Sequence, residues 1–292
     1  MTISMRTMTA GDVPLGMMLK DQAGWNQVEA DWLRFLAMEP EGCFVAEWEG
    51  RPAGTTVTTV LGDVGWIAMV LVEKAVRGRG IGTRLVQHAI AHLERRKVGT
   101  MRLDATRLGR PVYEKLGFMP EYEVARWEGI ATAPLSCCGR GAGGEGTRQS
   151  NREILVAPPL DAVVELDRQV TGTDRRRLLD YLYRQQPEAM RIVCLDEKPA
   201  GYATHRPGSR AVQIGPAVSL EPVAGVVLFD EAVHCCAGQP VFIDVPPENA
   251  AATSWAESKG LALQRRWMRM RRGQSICDRP AQLWASSGPE NG

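Results

Sequence analysis

Arg77-Gly78-Arg79-Gly80-Ile81-Gly82-Thr83 lies between an apolar segment typical of a strand, Trp66–Val72, and an amphipathic segment typical of a helix, Leu85–Arg96. Glycine lets the backbone turn tightly and approach a ligand closely. The first turn of a helix presents unpaired N–H groups and the positive end of the helix dipole. Two arginines add full positive charges. This arrangement predicts an anion-binding loop, most naturally for a pyrophosphate.

The composition is that of an ordinary soluble protein. The chain has 292 residues, of which 44% are apolar and 24% charged, and its net charge is +1. That length suits about two domains, and the near-neutral charge offers no broad field for nucleic acid. No apolar run approaches the roughly 20 residues of a membrane span, and the first residues lack the apolar core of a signal peptide. We expect a cytoplasmic protein, a monomer or homodimer, with no nucleic-acid or membrane partner.

The cysteines and histidines predict neither disulfides nor a metal site. Four of the seven cysteines form two adjacent pairs, Cys137-Cys138 and Cys235-Cys236, and adjacent cysteines bridge each other only with strain. His88 and His92 lie one helical turn apart, but no third ligand stands at zinc spacing. We expect free thiols and no metal.

The chain divides into two segments of similar size. Residues 132–150 are glycine-rich without an apolar period, which is typical of a linker. We expect a first domain over residues 1–131, a second over residues 151–273, and a flexible tail over residues 274–292.

The second segment repeats the order of the first. Three short echoes carry this interpretation: Glu49–Gly54 with Asp196–Gly201, Leu103-Asp104 with Ile243-Asp244, and Glu114–Phe118 with Glu257–Leu261. Where the first copy has its arginines and glycines, the second has Gly215–Gly225 with Glu221, whose charge would repel a phosphate. We therefore expect two copies of one α/β unit, of which only the first holds a phosphorylated cofactor tightly.

Two motifs resemble those of the GNAT N-acetyltransferases. Val70-Leu71-Val72, a four-residue gap and then Arg77–Gly82 is similar to that family's acetyl-CoA motif. Tyr113–Phe118, about thirty residues on, resembles its segment near the thiol end of CoA. A further resemblance, to tandem GNAT proteins, rests on four sites: Gly24-Trp25-Asn26, Tyr202, Ile214-Gly215-Pro216 and Asp244-Val245-Pro246. It implies an α/β (α+β) fold of two GNAT-like domains, each a mixed, mostly antiparallel twisted sheet flanked by helices.

The resemblance implies a role for each motif residue. The expected acetyl-CoA contacts are Val70, Leu71, Val72, Arg77, Gly78, Arg79, Gly80, Ile81, Gly82 and Thr83. The strand ending at Val72 would pair with the pantetheine arm, and an N–H near Met69–Leu71 would stabilise the oxyanion. Tyr113 would protonate the departing thiolate as general acid. Trp25 and Asn26, between the first two helices, would cover the acceptor, or Trp25 would simply cap the core. Trp66 would line the pocket from the sheet or, in the simpler interpretation, pack in the core.

The chain departs from the family at two positions. Many members carry a glutamate on the strand before the loop as general base, whereas Trp66–Val72 contains no carboxylate. The carboxylates that remain as relays are Asp31, Glu47, Asp63 and Asp104. Thr106 stands where members often have an asparagine.

Other interpretations of the glycine run are weaker. A dinucleotide-binding fold would use Asp104 for the ribose, but the third glycine of its motif would fall on Thr83 and the Glu73–Val76 gap is too long for its turn. No Gly-Lys-Ser/Thr follows, which excludes a P-loop. We expect acetyl-CoA-dependent transfer to an amine of a small molecule or peptide. The alternative is a non-catalytic acyl-CoA sensor.

Overall fold

The structure is a computed structural model that describes residues 2–132 and 152–292. Most of the predicted linker, and the pair Cys137-Cys138, lie outside the described residues. The five cysteines within those ranges are free thiols. None of the helices in the described part of the chain is both long and apolar enough to cross a membrane.

The first half alternates strands and helices around the predicted loop. Its elements are β1 (Ile3–Thr7), α1 (Val13–Ala23), α2 (Glu29–Met38), β2 (Cys43–Trp48), β3 (Arg51–Leu61), β4 (Val64–Val72), α3 (Ile81–Arg95), β5 (Thr100–Ala105), α4 (Arg110–Lys115) and β6 (Met119–Ile130). The apolar period of α3 buries Leu85, Ala89 and Leu93 against the sheet, with none of the three exposed to solvent.

The second half repeats this order. Its elements are β7 (Arg152–Val156), α5 (Leu160–Thr171), α6 (Arg176–Gln185), β8 (Arg191–Leu195), β9 (Lys198–Arg206), β10 (Val212–Ser219), α7 (Pro222–Cys235), β11 (Pro240–Val245), α8 (Ala250–Ser258), β12 (Ala262–Gly273) and β13 (Leu283–Ala285). The first echo is a matching two-residue hairpin turn, with positive φ at Glu49 and Gly50 and again at Asp196 and Glu197. The duplicated order of elements is confirmed.

The two halves exchange their last strands within one continuous sheet. The strand order is β1-β2-β3-β4-β5-β12-β6-β11-β10-β9-β8-β7, with β13 added to β10. Among the strand pairs that residues 2–132 and 152–292 form, only β4–β5 and β10–β11 are parallel, so the predicted mixed, mostly antiparallel fold is confirmed. However, β12 from the second half completes the sheet of the first, and β6 completes that of the second. The boundary drawn at residue 131 does not anticipate this exchange.

Reciprocal buried ion pairs accompany the exchange. Arg126 on β6 donates two hydrogen bonds of 2.7 Å to Asp244 on β11. Arg269 on β12 donates two, of 2.9 and 3.0 Å, to Asp104 on β5. Asp104 and Asp244 are the echoed residues of the two copies, so each aspartate fixes the strand that arrives from the other half.

The expectation of a flexible tail over residues 274–292 is wrong for its second part, because residues 283–292 are largely buried, whereas residues 274–282 lie at or near the surface. β13 pairs with β10, Trp284 is 2% exposed, and Ser286 and Ser287 are fully buried. The Ser286 N–H donates to the Asp244 carbonyl at 2.8 Å. The prediction failed because the serine, glycine and proline of this segment are satisfied by contacts distant in sequence.

Candidate active site

The centre of the site is a gap between β4 and β5. The two strands pair only from Val64 with Thr100 to Trp66 with Arg102, although β4 continues to Val72. The register against β3 shifts between Ala68 and Leu71, and Met69 adopts a left-handed φ of 51°. This β-bulge bends β4 away from β5. The backbone of β4 beyond the bulge therefore borders an open cleft.

The glycine loop lies at the end of that strand. Gly78 and Gly80 have φ of 76° and 82°, and a Cβ at either would meet nothing within 4 Å. Gly80 is the N-cap of α3, so the free N–H groups of this helix face an open space. A side chain here is disfavoured by the backbone conformation and not by packing. The sequence and the open space are those of an anion cradle.

The two arginines of the loop are held by neighbouring groups. Arg77 donates from Nε to the Val72 carbonyl at 2.9 Å. The Arg79 guanidinium lies over the Trp48 ring, 5.2 Å from its centroid. Neither contact neutralises the charge, so both cations remain available to an anion at the exposed loop.

A cavity of about 80 Å³ continues the cleft toward the second half. Its lining residues come from both halves of the chain: Trp25, Gln27, Ile67, Ala68, Met69, Val70, Asp104, Thr106, Tyr113, Arg126, Arg265, Trp267, Pro289 and Glu290. The bulged part of β4 thus forms one wall, and residues 265–290 form much of the opposite one.

Tyr113 faces this cavity from α4. Its ring packs edge-on against Phe118 at 6.2 Å between centroids and covers Gly109, where an added Cβ would lie 2.8 Å from the ring. Burial raises the pKa of the Tyr113 phenol to about 12. The phenol therefore stays protonated near neutral pH and can donate a proton.

The four carboxylates considered as relays all have partners. Asp31 is bonded by Arg34 and Arg206, and Asp104 by Arg269. Glu47 pairs with Arg6, and Asp63 accepts a hydrogen bond from the Gly99 N–H at 2.8 Å. Only Asp104 of the four lines the cavity.

The three residues predicted to bind the acceptor lie in different surroundings in the structure. Trp25 lines the cavity. Asn26 does not: its side chain accepts from the N–H groups of Arg210 and Ala211, at 2.9 and 3.1 Å, and donates to the Ala211 carbonyl. The Asn26 amide therefore joins the two halves and does not line the cavity. Trp66 lies in the core, 3% exposed, and donates to the Pro289 carbonyl at 3.2 Å.

The sequence did not indicate five of the lining residues, namely Gln27, Arg126, Trp267, Pro289 and Glu290. Glu290 is 2% exposed and accepts from Gln27 Nε2 at 2.9 Å and from Arg206. Arg265 also lines the cavity. Such residues carry no local signal, because strand exchange and the buried tail bring them to the cleft.

The equivalent region of the second half is closed. There β10 ends at Ser219 and α7 begins at Pro222, which leaves no loop comparable to residues 73–80. The parallel pairing of β10 with β11 ends at Ile214, and β13 fills the gap beyond it by pairing with Ala217 and Val218. The chain itself thus occupies the gap that stays open in the first half.

The described residues contain no metal centre. Within residues 2–132 and 152–292, no three or more histidine, cysteine, aspartate or glutamate side chains are grouped to hold a metal ion.

Family comparisons agree with this geometry in both halves. The model described as "Acetyltransferase (GNAT) family" matches residues 17–118, and that described as "Acetyltransferase (GNAT) domain" matches residues 163–285. The chain therefore belongs to the GNAT acetyltransferases, as a tandem protein with one GNAT domain in each half. It is accordingly an acyltransferase of the N-acetyltransferase kind, from a family that generally uses acetyl-CoA.

Individual proteins extend the match over most of the chain. It is 25% identical over 224 residues to the holothin acyltransferase of Pseudoalteromonas sp. (strain SANK 73390), spanning 76% of this chain and 71% of that one. A structure from Pyrococcus horikoshii, of a proposed acetyltransferase, matches with a TM-score of 0.81 and 25% identity, over 99% of this chain and 96% of that one. A tandem GNAT protein from the clavulanic acid biosynthesis pathway shares the fold, with a TM-score of 0.64 and 14% identity over 95% and 100% of the chains.

Proposed function

We propose that this protein transfers an acetyl group from acetyl-CoA to a primary amine of a small molecule or peptide, by direct attack of the amine in a ternary complex. One observation carries the proposal: the bulged, unpaired end of β4 leads from the cavity beside Tyr113 to the open glycine loop at α3. In acetyl-CoA the pyrophosphate and the thioester stand at the two ends of the pantetheine arm, so one molecule would reach from the loop to the bulge.

The donor would bind as an added strand. The N–H groups of residues 79–83 would hold the pyrophosphate, with charge from Arg77 and Arg79. Beyond Met69 the backbone of Val70, Leu71 and Val72 would pair with the amides of the pantetheine arm. The bulge would aim an N–H at the thioester carbonyl, where it stabilises the negative charge that develops on oxygen.

Tyr113 would then protonate the leaving thiolate. The amine nitrogen forms its bond to the acetyl carbon, the carbon–sulfur bond breaks, and the phenol proton passes to sulfur. The nitrogen then loses one proton to water, and water returns a proton to the phenolate. The carboxylates that line the cavity, Asp104 and Glu290, are held by arginines. We therefore propose that attack draws on the neutral fraction of the amine, whose proton leaves through water.

The acceptor would be a small molecule. The cavity is only about 80 Å³ and is enclosed partly by residues from the second half. The Pseudoalteromonas relative is named as a holothin acyltransferase. A peptide would have to enter by a single terminal amine.

Acetyl-CoA titration calorimetry tests the donor site with a matched pair of variants. Gly80→Glu places a carboxylate in the cradle and should abolish binding. Gly238→Glu is the control, since Gly238 has nearly the same φ, 79° against 82°, and equally open surroundings outside the site. Equal binding by wild type and Gly80→Glu would refute the donor site. Thiol release with amine panels tests transfer, and donor binding with no release from any amine would favour a sensor.

A further inference from the structure

Arg265 is a cavity-lining cation without an ion pair. It lies on β12 directly opposite Arg126 on β6, and both side chains line the cavity. Like charges directly across a strand pair repel. Arg126 is neutralised by Asp244, at 2.7 Å, but among the described residues no carboxylate lies within ion-pair distance of Arg265.

Positive charge exceeds negative charge among the side chains around Arg265. Each nearby carboxylate is already bound by another arginine: Asp31 by Arg34 and Arg206, Glu290 by Arg206, Asp244 by Arg126, and Asp104 by Arg269. Arg210 also acts on Arg265 with like charge, so six arginines, with Arg265 among them, accompany these four carboxylates. Burial and the neighbouring Arg126 lower the pKa of Arg265 to about 10, which shows how poorly this charge is compensated.

Two buried N–H donors at this position also lack a hydrogen-bond partner among the described residues. They are Arg265 Nε and Trp267 Nε1. The Trp267 ring contacts both guanidinium groups, since its centroid lies 5.3 Å from the guanidinium of Arg126 and 5.6 Å from that of Arg265. Buried donors that lack a partner cost free energy. A ligand that accepts hydrogen bonds and carries negative charge would remove both penalties.

We propose that the acceptor carries an anionic group, a carboxylate or one of like charge, which Arg265 binds while the amine points to the thioester. The inference rests on the proposed function. The guanidinium fork matches the two oxygens of a carboxylate or phosphonate. Arg265 would then select among amines by charge, and Trp267 would supply a second donor.

Thiol release from acetyl-CoA with matched amines tests the inference. The series comprises β-alanine and 4-aminobutanoate, their neutral amides, and 3-aminopropylphosphonate to compare carboxylate with phosphonate. Wild type should favour the anionic amines. In Arg265→Gln, kcat/KM for them should fall by about ten- to a hundredfold while the amides change little. Acetyl-CoA affinity and thermal stability should stay at the wild-type level or, for stability, rise.

Arg266→Gln is the matched control. Arg266 is the next residue on β12, but it is exposed and pairs with Glu123 at 3.0 Å, so its loss should leave the preference intact. Equal effects of Arg265→Gln on anionic and neutral amines, or a loss of acetyl-CoA affinity, would overturn the inference. Acetylation of the amides alone would overturn it while leaving the proposed function standing. No thiol release with any amine would instead overturn the proposed function, and the inference with it.

Discussion

The exchange of β6 and β12 makes the Arg126–Asp244 pair a sensitive point for stability. Its side chains are 3% and 0% exposed, and two hydrogen bonds of 2.7 Å join them. Asp244→Leu would leave Arg126 buried and uncompensated, which costs about 3–5 kcal/mol. Since whole domains are stable by only about 5–15 kcal/mol, this is a large share. The melting temperature should fall by roughly 6–15 °C.

A double-mutant cycle measured by urea unfolding separates the pair from its surroundings. Arg126→Met should be destabilising as well, whereas the double variant should return to within about 1–2 kcal/mol of wild type, because no buried charge remains. Glu123→Ala is the control, since it breaks an exposed pair with Arg266 between β6 and β12, at 46–48% exposure, and should cost less than about 1 kcal/mol. If Asp244→Leu lowers the free energy of unfolding by no more than Glu123→Ala does, the Arg126–Asp244 pair does not stabilise the exchanged strands as argued.

Three further predictions concern separate parts of the molecule. Tyr113→Phe should lower turnover by about ten- to a thousandfold with acetyl-CoA affinity nearly unchanged, and stopped-assay kinetics with calorimetry would show it; an unchanged rate removes Tyr113 from the mechanism. Trp284→Ala should cost about 3–5 kcal/mol in thermal denaturation because Trp284 is 2% exposed, whereas a loose tail would lose almost nothing. Hydrogen bonds from Arg6 lower the pKa of Asp12 to about 2, so its stabilisation is present above about pH 4 and lost as the pH falls toward 2. The urea midpoints of wild type and Asp12→Asn should therefore converge on acidification, and a constant gap would contradict this origin.

The local parts of the fold could be predicted from the sequence. A strand, a glycine turn and an amphipathic helix have short-range signatures, and β4, the loop and α3 lie where those signatures stand. The hairpin turn at Glu49–Gly50 and its echo at Asp196–Glu197 are equally local, since both need left-handed backbone. The sequence also predicted that the second half lacks an anion-binding loop, because the residues directly before α7 contain no arginines.

The predictions that were wrong concern pairing between segments that are distant in the sequence. The pattern of hydrophobic residues along a strand does not determine which strand lies beside β5. In the structure that neighbour is β12, more than 150 residues away along the chain. Ser286 and Ser287 look like tail residues until β13 carries them into the gap of the second half. Arg265 and Glu290 reach the cavity only through these two rearrangements, so composition and spacing could not connect them with Tyr113.

The stoichiometry of acetyl-CoA binding tests the central claim most directly. The first half keeps an open gap and a glycine cradle, whereas β13 closes the gap of the second half. Calorimetric titration of the full chain should therefore give one acetyl-CoA per polypeptide, lost in Gly80→Glu and kept in Gly238→Glu. Two equivalents per chain, or binding that survives Gly80→Glu, would contradict the account.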